Sequence, residues 1–322
     1  MKILVTGFSG FVGRHFLRYL EDNAIAAELL GVDRCELAFP LDGHRHVRGS
    51  YRQLDLLDKG GVEAVIDGFR PTHILHLASY SSVGFSWQQP VESFVNNTNI
   101  LLNLLEQVRA LRSNCRILSV GSSEEYGNVL PSAVPIREDA ALKPVSPYAV
   151  ARVAQEMLSS LYVSGYGLDI VMTRSFNHIG THQRDVFVVP SLARQLTAIR
   201  HRQAPPRLVT GDRTIVRDFV DVRDVVRAYH LLLLGGKAGE IYNVCSGRGV
   251  SIDEVIDLMR AALGIQVTLA TDPALLRPSD NRVIIGSNEK IHRELGWEPR
   301  ISLRESLEQI LEWWNARHPG AG

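Results

Sequence analysis

Tyr148 begins an apolar-patterned helix, and Arg152 follows one turn later on the same face. A phenol beside a fixed cation exchanges a proton more readily than one in water, because the cation stabilises the phenolate. Ser122 closes a short apolar run, Arg116 to Val120 and on to Gly121, and opens the polar stretch Ser122-Ser123-Glu124-Glu125-Tyr126-Gly127. A hydroxyl there can orient the carbonyl or alcohol on which the tyrosine acts. A third set lies at the start of the chain, where Gly7, Gly10 and Gly13 punctuate Gly7-Phe8-Ser9-Gly10-Phe11-Val12-Gly13. The apolar run Lys2–Thr6 precedes it and the helical pattern of Phe16, Leu17 and Leu20 follows. Strand, tight glycine turn and helix in that order hold a dinucleotide. One glycine permits the turn, the second admits a pyrophosphate and the third lets helix pack on strand. The free N–H groups of the helix start face the phosphates.

Asp33 ends the next apolar run, twenty residues after Gly13, where a carboxylate accepts both hydroxyls of an adenosine ribose. Arg34 beside it suits a 2′-phosphate instead. The pair favours NAD(H) and leaves NADP(H) open. Asp55-Leu56 is read either as an adenine-edge contact or as a plain helix start. Arg217-Asp218-Phe219 and Arg277-Pro278-Ser279-Asp280 supply arginine forks suited to a second diphosphate, with surface ion pairs as the alternative. His178 and His182 lack metal spacing and read as polar lining, so no metal site is expected. Trp297, Trp313 and Trp314 read as packing residues.

These groups need a scaffold. Strands are expected at Glu28–Val32, His46–Arg48, His73–Leu77, Arg116–Val120 and Asp169–Thr173. Helices are expected near Lys59–Gly68, from Pro90 through Val108, and from Tyr148 through Leu161. Alternation at this spacing means βαβ units and a doubly wound parallel sheet. From about Asn177 the loops lengthen and prolines appear. That half reads as a smaller mixed α/β lobe, with strands near Leu208–Val209, Ile241–Val244 and Gln266–Leu269. Ser251 and Ser302, each followed three residues on by a glutamate, signal capping boxes. The expected division is 1–176 and 177–322, with a helix and strand near 221–244 returning to the sheet.

The 322 residues are 45% hydrophobic and 22% charged, the balance of a globular protein with a large core. Thirty-five basic residues offset thirty-five acidic ones, so overall charge points to neither nucleic acid nor an anionic membrane as partner. Three scattered cysteines, Cys35, Cys115 and Cys245, suit a reducing compartment. With a strand at the first residues and no long apolar tract, the expectation is a cytoplasmic protein without leader or membrane span.

The whole chain resembles the extended short-chain dehydrogenase/reductases in their nucleotide-sugar branch. Gly7, Gly10 and Gly13 match the family's GxxGxxG. Ser122 matches its catalytic Ser/Thr, and Tyr148-Ala149-Val150-Ala151-Arg152 its Tyr-x-x-x-Lys. Within the branch it looks most like the GDP-4-dehydro-6-deoxy-mannose reductases. Arg174-Ser175-Phe176-Asn177-His178-Ile179-Gly180-Thr181-His182-Gln183 is set against their R-x-F-N-H-x-G-P-G-Q. The resemblance implies a Rossmann-type fold and reduction of a C4 ketone on a GDP-sugar to GDP-D-rhamnose, with Tyr148 as proton donor and Ser122 as hydrogen-bond donor. It implies cofactor contacts from Leu77, Ala78, Ser79 and Asn97, and substrate contacts from Ser122, Ser123, Asn177, Val188, Arg194, Arg217 and Arg277. It also implies a homodimer through helices near 90–110 and 148–165. Glu124 falls where the related dehydratases keep a glutamate base, so a 4,6-dehydratase or epimerase is the rival enzyme. Arg152 in place of lysine raises a third alternative, a nucleotide-binding protein with impaired turnover. Arginine keeps the charge but relays no proton, and on the sequence alone Arg152→Lys is expected to retain or raise turnover.

Overall fold

The computed structural model describes residues 1–276 and 281–317. Its first half alternates strand and helix: β1 (Lys2–Thr6), α1 (Phe11–Asp22), β2 (Ala27–Asp33), β3 (Val47–Gln53), α2 (Lys59–Phe69), β4 (His73–His76), α3 (Val83–Gln88), α4 (Pro90–Ala110), β5 (Arg116–Ser122), α5 (Pro147–Tyr166) and β6 (Ile170–Ser175). The second half contains β7 (Asn177–Ile179), α6 (Val188–Arg200), β8 (Arg207–Thr210), β9 (Val216–Asp221), α7 (Val222–Gly235), β10 (Ile241–Val244), β11 (Gly249–Ser251), α8 (Ile252–Leu263), β12 (Thr268–Thr271), β13 (Val283–Ile284), α9 (Glu289–Leu295) and α10 (Leu303–Asn315).

Seven strands form one parallel sheet in the order β10-β6-β5-β4-β1-β2-β3. The chain winds outward from β1 to β3, then restarts at β4 on the other side. The crevice for a ligand therefore lies beyond the C-terminal ends of β1 and β4. The strands read as apolar runs because both faces are covered. Ile3, Val5 and Leu75 pack with Phe16, Leu20, Val225 and Leu232 of α1 and α7. Leu4, Ile74 and Ile117 pack on the other side with Val62, Leu101, Leu104 and Tyr162 of α2, α4 and α5.

The helix and strand expected near 221–244 are α7 and β10. α7 packs in the core beside α1, and β10 is an edge strand of the seven-stranded sheet, paired with β6. A second core joins α6, α8 and α10 through Leu192, Leu196, Val255, Met259 and Ile310. It lies beside a small sheet in which β9 pairs with β7, β11 and β13, while β8 pairs separately with β12.

β3 runs on to Gln53, beyond the expected end at Arg48, and forms one edge of the sheet. Its sequence Val-Arg-Gly-Ser-Tyr-Arg-Gln is mostly polar, as suits a strand half in water, and little apolar signal marks its end. The short α3, capped by Ser82, has no helical apolar period to reveal it. The serines at 251 and 302 do cap their helices, each accepting from the N–H three residues on (Glu254, 3.1 Å; Glu305, 3.2 Å). The glutamates do not turn back as a box requires: Glu254 reaches Arg248 at 3.4 Å and Glu305 faces Arg223 at 3.5 Å.

Candidate active site

The glycine loop joins β1 to α1 at the crevice. Gly7 has φ +69°, and a Cβ there would fall 2.7 Å from the Ala78 nitrogen at the end of β4. A Cβ on Gly13 would fall 2.3 Å from the Phe8 carbonyl. Only glycine allows either approach. α1 begins without a side-chain cap and without an acidic residue in its first turn, so its N–H groups are left to an anion. Ser79 Oγ, at the same rim, is buried and lacks a partner among the described residues. This cradle fits a dinucleotide.

Asp33 lies at the loop's edge, accepting from Ser9 N–H at 3.1 Å and Ser9 Oγ at 2.6 Å. Arg34 turns toward β4, donating to the Tyr80 hydroxyl. The Phe8 ring is packed into the core against Gly31 and Phe39, so only its backbone belongs to the loop. Val12 packs against the same core, and Phe11 stacks on His178 with ring centroids 5.6 Å apart. Leu77 and Ala78 donate backbone N–H groups to the Thr6 carbonyl (3.2 Å) and hydroxyl (3.3 Å). Asn97 clamps the next residue but one: its Oδ1 accepts from Tyr80 N–H at 2.8 Å and its Nδ2 donates to the Tyr80 carbonyl at 3.2 Å. Asp55 accepts from Leu57 N–H at 2.9 Å, a local turn, and Leu56 is core.

α5 presents Tyr148 in its first turn and Arg152 in its second, both 5% exposed. Arg152 Nε donates to the Tyr148 oxygen at 3.1 Å. Its Nη1 donates to the Val120 carbonyl at 3.0 Å and to Gln155 Oε1 at 2.6 Å. Gln155 donates onward to Ser119 Oγ at 3.0 Å and Val120 O at 3.1 Å. The arginine is thus fixed between the helix and β5, the strand that ends in Ser122.

Ser122 caps the short 3-10 turn Ser123–Tyr126. Its Oγ accepts from Glu124 N–H at 3.3 Å, and its own N–H donates to Glu125 Oε1 at 2.7 Å. Ser123 is buried beside it and Glu124 is half-buried. Glu125 is fully buried, 4.0 Å from Arg174, which also makes a two-pronged pair with Glu156 of α5, both bonds 2.8 Å. Burial, then the charge of Glu156, pushes the Glu125 carboxyl well above the usual carboxylate range.

The substrate side is more dispersed. Asn177 and Val188 stand at the starts of β7 and α6. Arg194 pairs with Asp185 at 3.0 Å on the surface. Arg217 is only 4% exposed, with Nη1 on the carbonyls of Asn281 (2.6 Å) and Val216 (3.0 Å), so one arm of its fork is engaged inside the lobe. Arg277 lies outside the described residues. Neighbouring Asp218 gathers four donors, Ser246 N–H and Oγ, Gly247 N–H and Gly286 N–H, at 2.6–3.2 Å. His182 takes φ +67° and accepts from Arg14 of α1 at 2.5 Å. His178 Nδ1 contacts the Phe176 carbonyl at 3.1 Å. Among the described residues no group of His, Cys, Asp or Glu is arranged to hold a metal.

Reading residues singly missed the roles of Glu125, Gln155 and Tyr80, and took Arg217-Asp218-Phe219 for its arginine alone, not for the donors that Asp218 gathers. For Glu125 a signal existed: Ser122-Ser123-Glu124-Glu125 is itself a capping-box pattern. Tyr80 and Asp218 find their partners only once segments far apart in sequence meet, and Gln155 lies one turn after Arg152 but also reaches across to β5.

A parallel sheet with its glycine loop at the switch point, and a buried Tyr-x-x-x-Arg helix at the end of the neighbouring β5, define a Rossmann-type short-chain dehydrogenase/reductase. The GDP-mannose 4,6 dehydratase family model matches residues 4–310, and the chain belongs to that family, in the nucleotide-sugar branch of the extended short-chain dehydrogenase/reductases. It is 34% identical over 98% of both chains to GDP-6-deoxy-D-mannose reductase of Pseudomonas aeruginosa. It is 26% identical over 98% of both chains to dTDP-glucose 4,6-dehydratase of Haemophilus influenzae. Among solved structures, RMD from Pseudomonas aeruginosa complexed with NADPH superposes with a TM-score of 0.85 at 34% identity, covering 98% of this chain and 99% of that one. UDP-glucose 4-epimerase from Thermotoga maritima with UDP-glucose gives 0.87 at 27% identity, covering 99% and 100%. With this family membership the protein is an NAD(P)-dependent enzyme of oxidoreductase type.

Proposed function

We propose that the enzyme reduces the C4 ketone of GDP-4-dehydro-6-deoxy-D-mannose to GDP-D-rhamnose. The observation that carries this reading is the buried Tyr148 hydroxyl bonded to Arg152 at 3.1 Å, in a chain 34% identical along its length to a reductase of that sugar's class. The Gly7–Gly13 loop would hold a reduced nicotinamide dinucleotide, whose chemistry would be hydride donation to C4. Tyr148 delivers the proton to the C4 oxygen, and Arg152 steadies the phenolate left behind. Ser122 donates a hydrogen bond to the same oxygen as its charge develops. Asn177, Val188, Arg194, Arg217 and Arg277 are assigned to the sugar nucleotide, and Ser123 to the wall behind it. Asp33 supports NAD(H) as the preferred cofactor.

The division into a cofactor domain (1–176, with the returning α7 and β10) and a substrate lobe (177–322) belongs to this proposal. So does a homodimer. Val91, Phe94 and Val95 of α4 and Val150 of α5 form an exposed apolar face with Pro90 and Pro147, a surface that a second copy would cover. Free cysteines, Cys35 among them on the surface, suit a cytoplasmic site of action. Among the described residues no helix is long and apolar enough to cross a membrane.

A dehydratase reading rests on Glu124, half-buried beside Ser122, where a carboxylate could remove the C5 proton. Mass spectrometry of sugar nucleotide copurified with the protein separates the two readings. A GDP-6-deoxyhexose with a C4 hydroxyl supports the reductase, and intact GDP-mannose supports the dehydratase. A 4-keto-6-deoxy GDP-sugar, product of one and substrate of the other, is assigned by adding reduced cofactor. Conversion to the C4 alcohol then supports the reductase, and no conversion supports the dehydratase.

A further inference from the structure

Arg34 and Tyr80 sit on opposite sides of the strand that carries the glycine loop. Arg34 follows β2 and Tyr80 follows β4, with β1 between them in the sheet. Their side chains meet across its end. The Arg34 guanidinium lies over the Tyr80 ring, 4.4 Å from its centroid, and donates to the Tyr80 oxygen. That hydroxyl donates in turn to Glu92 Oε1 at 2.8 Å. Tyr80 is a firm anchor: Asn97 holds its backbone at both N–H and carbonyl, and its ring packs on Phe85 with centroids 5.0 Å apart. Asp33 faces the other way, onto Ser9.

A dinucleotide on the glycine loop presents its adenosine ribose to the end of β2. There Asp33 attracts a 2′-hydroxyl and repels a 2′-phosphate, whereas a free Arg34 would attract that phosphate. We propose that Tyr80 sets the cofactor specificity of this site by holding Arg34 away from the ribose 2′-position, leaving Asp33 to select the unphosphorylated ribose. The proposal rests on the dinucleotide reading of the loop. Glu92 strengthens the restraint, because a carboxylate on the phenol makes its oxygen a better acceptor for the guanidinium.

The test is calorimetric binding of 5′-ADP and of adenosine 2′,5′-bisphosphate to the full chain, wild type against Tyr80→Phe, Tyr80→Leu and Tyr80→Leu/Arg34→Ala. Wild type should prefer 5′-ADP. Tyr80→Leu removes both ring and hydroxyl and should move the affinity ratio about tenfold toward the 2′-phosphate, the size of one cation–π contact with one hydrogen bond. Tyr80→Phe keeps the ring and should move it less, and the double variant should lose the gain. The NADPH-to-NADH ratio of kcat/KM should follow in the same order. An unchanged ratio in a Tyr80→Leu protein that still binds 5′-ADP overturns the role of Tyr80, and a gain that survives Arg34→Ala overturns that of Arg34. Failure of wild type to bind 5′-ADP at all overturns the dinucleotide reading, and the proposal with it.

Discussion

Arg152 donates from Nε to the phenol oxygen of Tyr148 at 3.1 Å while its guanidinium carbon lies 5.2 Å from the centre of the same ring. The cation touches the acid group directly and the ring by its face. Its bonds to Val120 and Gln155 fix the fork so that the Nε–O contact is set by the fold. Tyr148 is thereby placed at the end of β5, the strand that carries Ser122.

Removing only the phenol oxygen should abolish most turnover and little else. Tyr148→Phe is expected to lower kcat by about 100-fold to 10,000-fold, the usual worth of a positioned general acid. The KM for sugar nucleotide should change little. Thermal unfolding should shift modestly, because Arg152 Nε loses its partner at about 1–3 kcal/mol. Near-normal kcat in this variant would move the proton donor elsewhere.

The arginine fork reverses the expectation drawn from sequence for Arg152→Lys. A lysine has one ammonium and cannot reproduce bonds to Tyr148, Val120 and Gln155 together. The Val120 carbonyl keeps its bond from Gln155, but Gln155 Oε1 loses its donor. Steady-state kinetics should show kcat reduced up to about tenfold, one lost hydrogen bond in a buried network. Turnover equal to or above wild type would mean that the fork is packing alone.

His182 offers a pH test. It holds a left-handed backbone and its ring is crowded by burial and by Arg14, His15, Arg317 and Arg18, which hold its pKa down to about 4. The unfolded chain takes up this proton near 6.5, so folded stability falls as pH drops from there toward 4. His182→Gly removes that loss and relieves about 1 kcal/mol of backbone strain. It also gives up the Arg14 bond, about 1 kcal/mol. Its Tm should therefore match wild type near pH 7.5 and exceed it at pH 5. A Tm difference independent of pH would contradict the assignment.

The exposed apolar face of α4 and α5 should be covered in solution. Light scattering should report a dimer for wild type and a monomer for Phe94→Glu, with the fold kept because Phe94 is exposed. A monomeric wild type, or a dimer undisturbed by the charge, would place any assembly on another face.

The cofactor half was legible because its signals are local. A buried strand, three glycines and an apolar helix occupy a single continuous segment, and Asp33 closes the next βαβ turn. Tyr148 and Arg152 are one turn apart, so helical spacing alone predicts that they touch. What escaped notice lies between segments. Glu125 meets Glu156 and Arg174 only after β5, β6 and α5 pack, and Arg34 meets Tyr80 only because β4 returns beside β1. Arg217 reads as an available fork in sequence, whereas the lobe engages one of its arms. In the small sheet β7, β11 and β13 are two or three residues long, below the length at which alternation is visible.

The most direct test of the proposed reaction is to supply GDP-4-dehydro-6-deoxy-D-mannose with reduced cofactor and follow cofactor oxidation together with the sugar product. The account predicts one reduced cofactor consumed per sugar, a new hydroxyl at C4 with the D-rhamno configuration, and loss of this turnover in Tyr148→Phe. No oxidation with the keto sugar, together with a 4-keto product formed from GDP-mannose without added reduced cofactor, would contradict it.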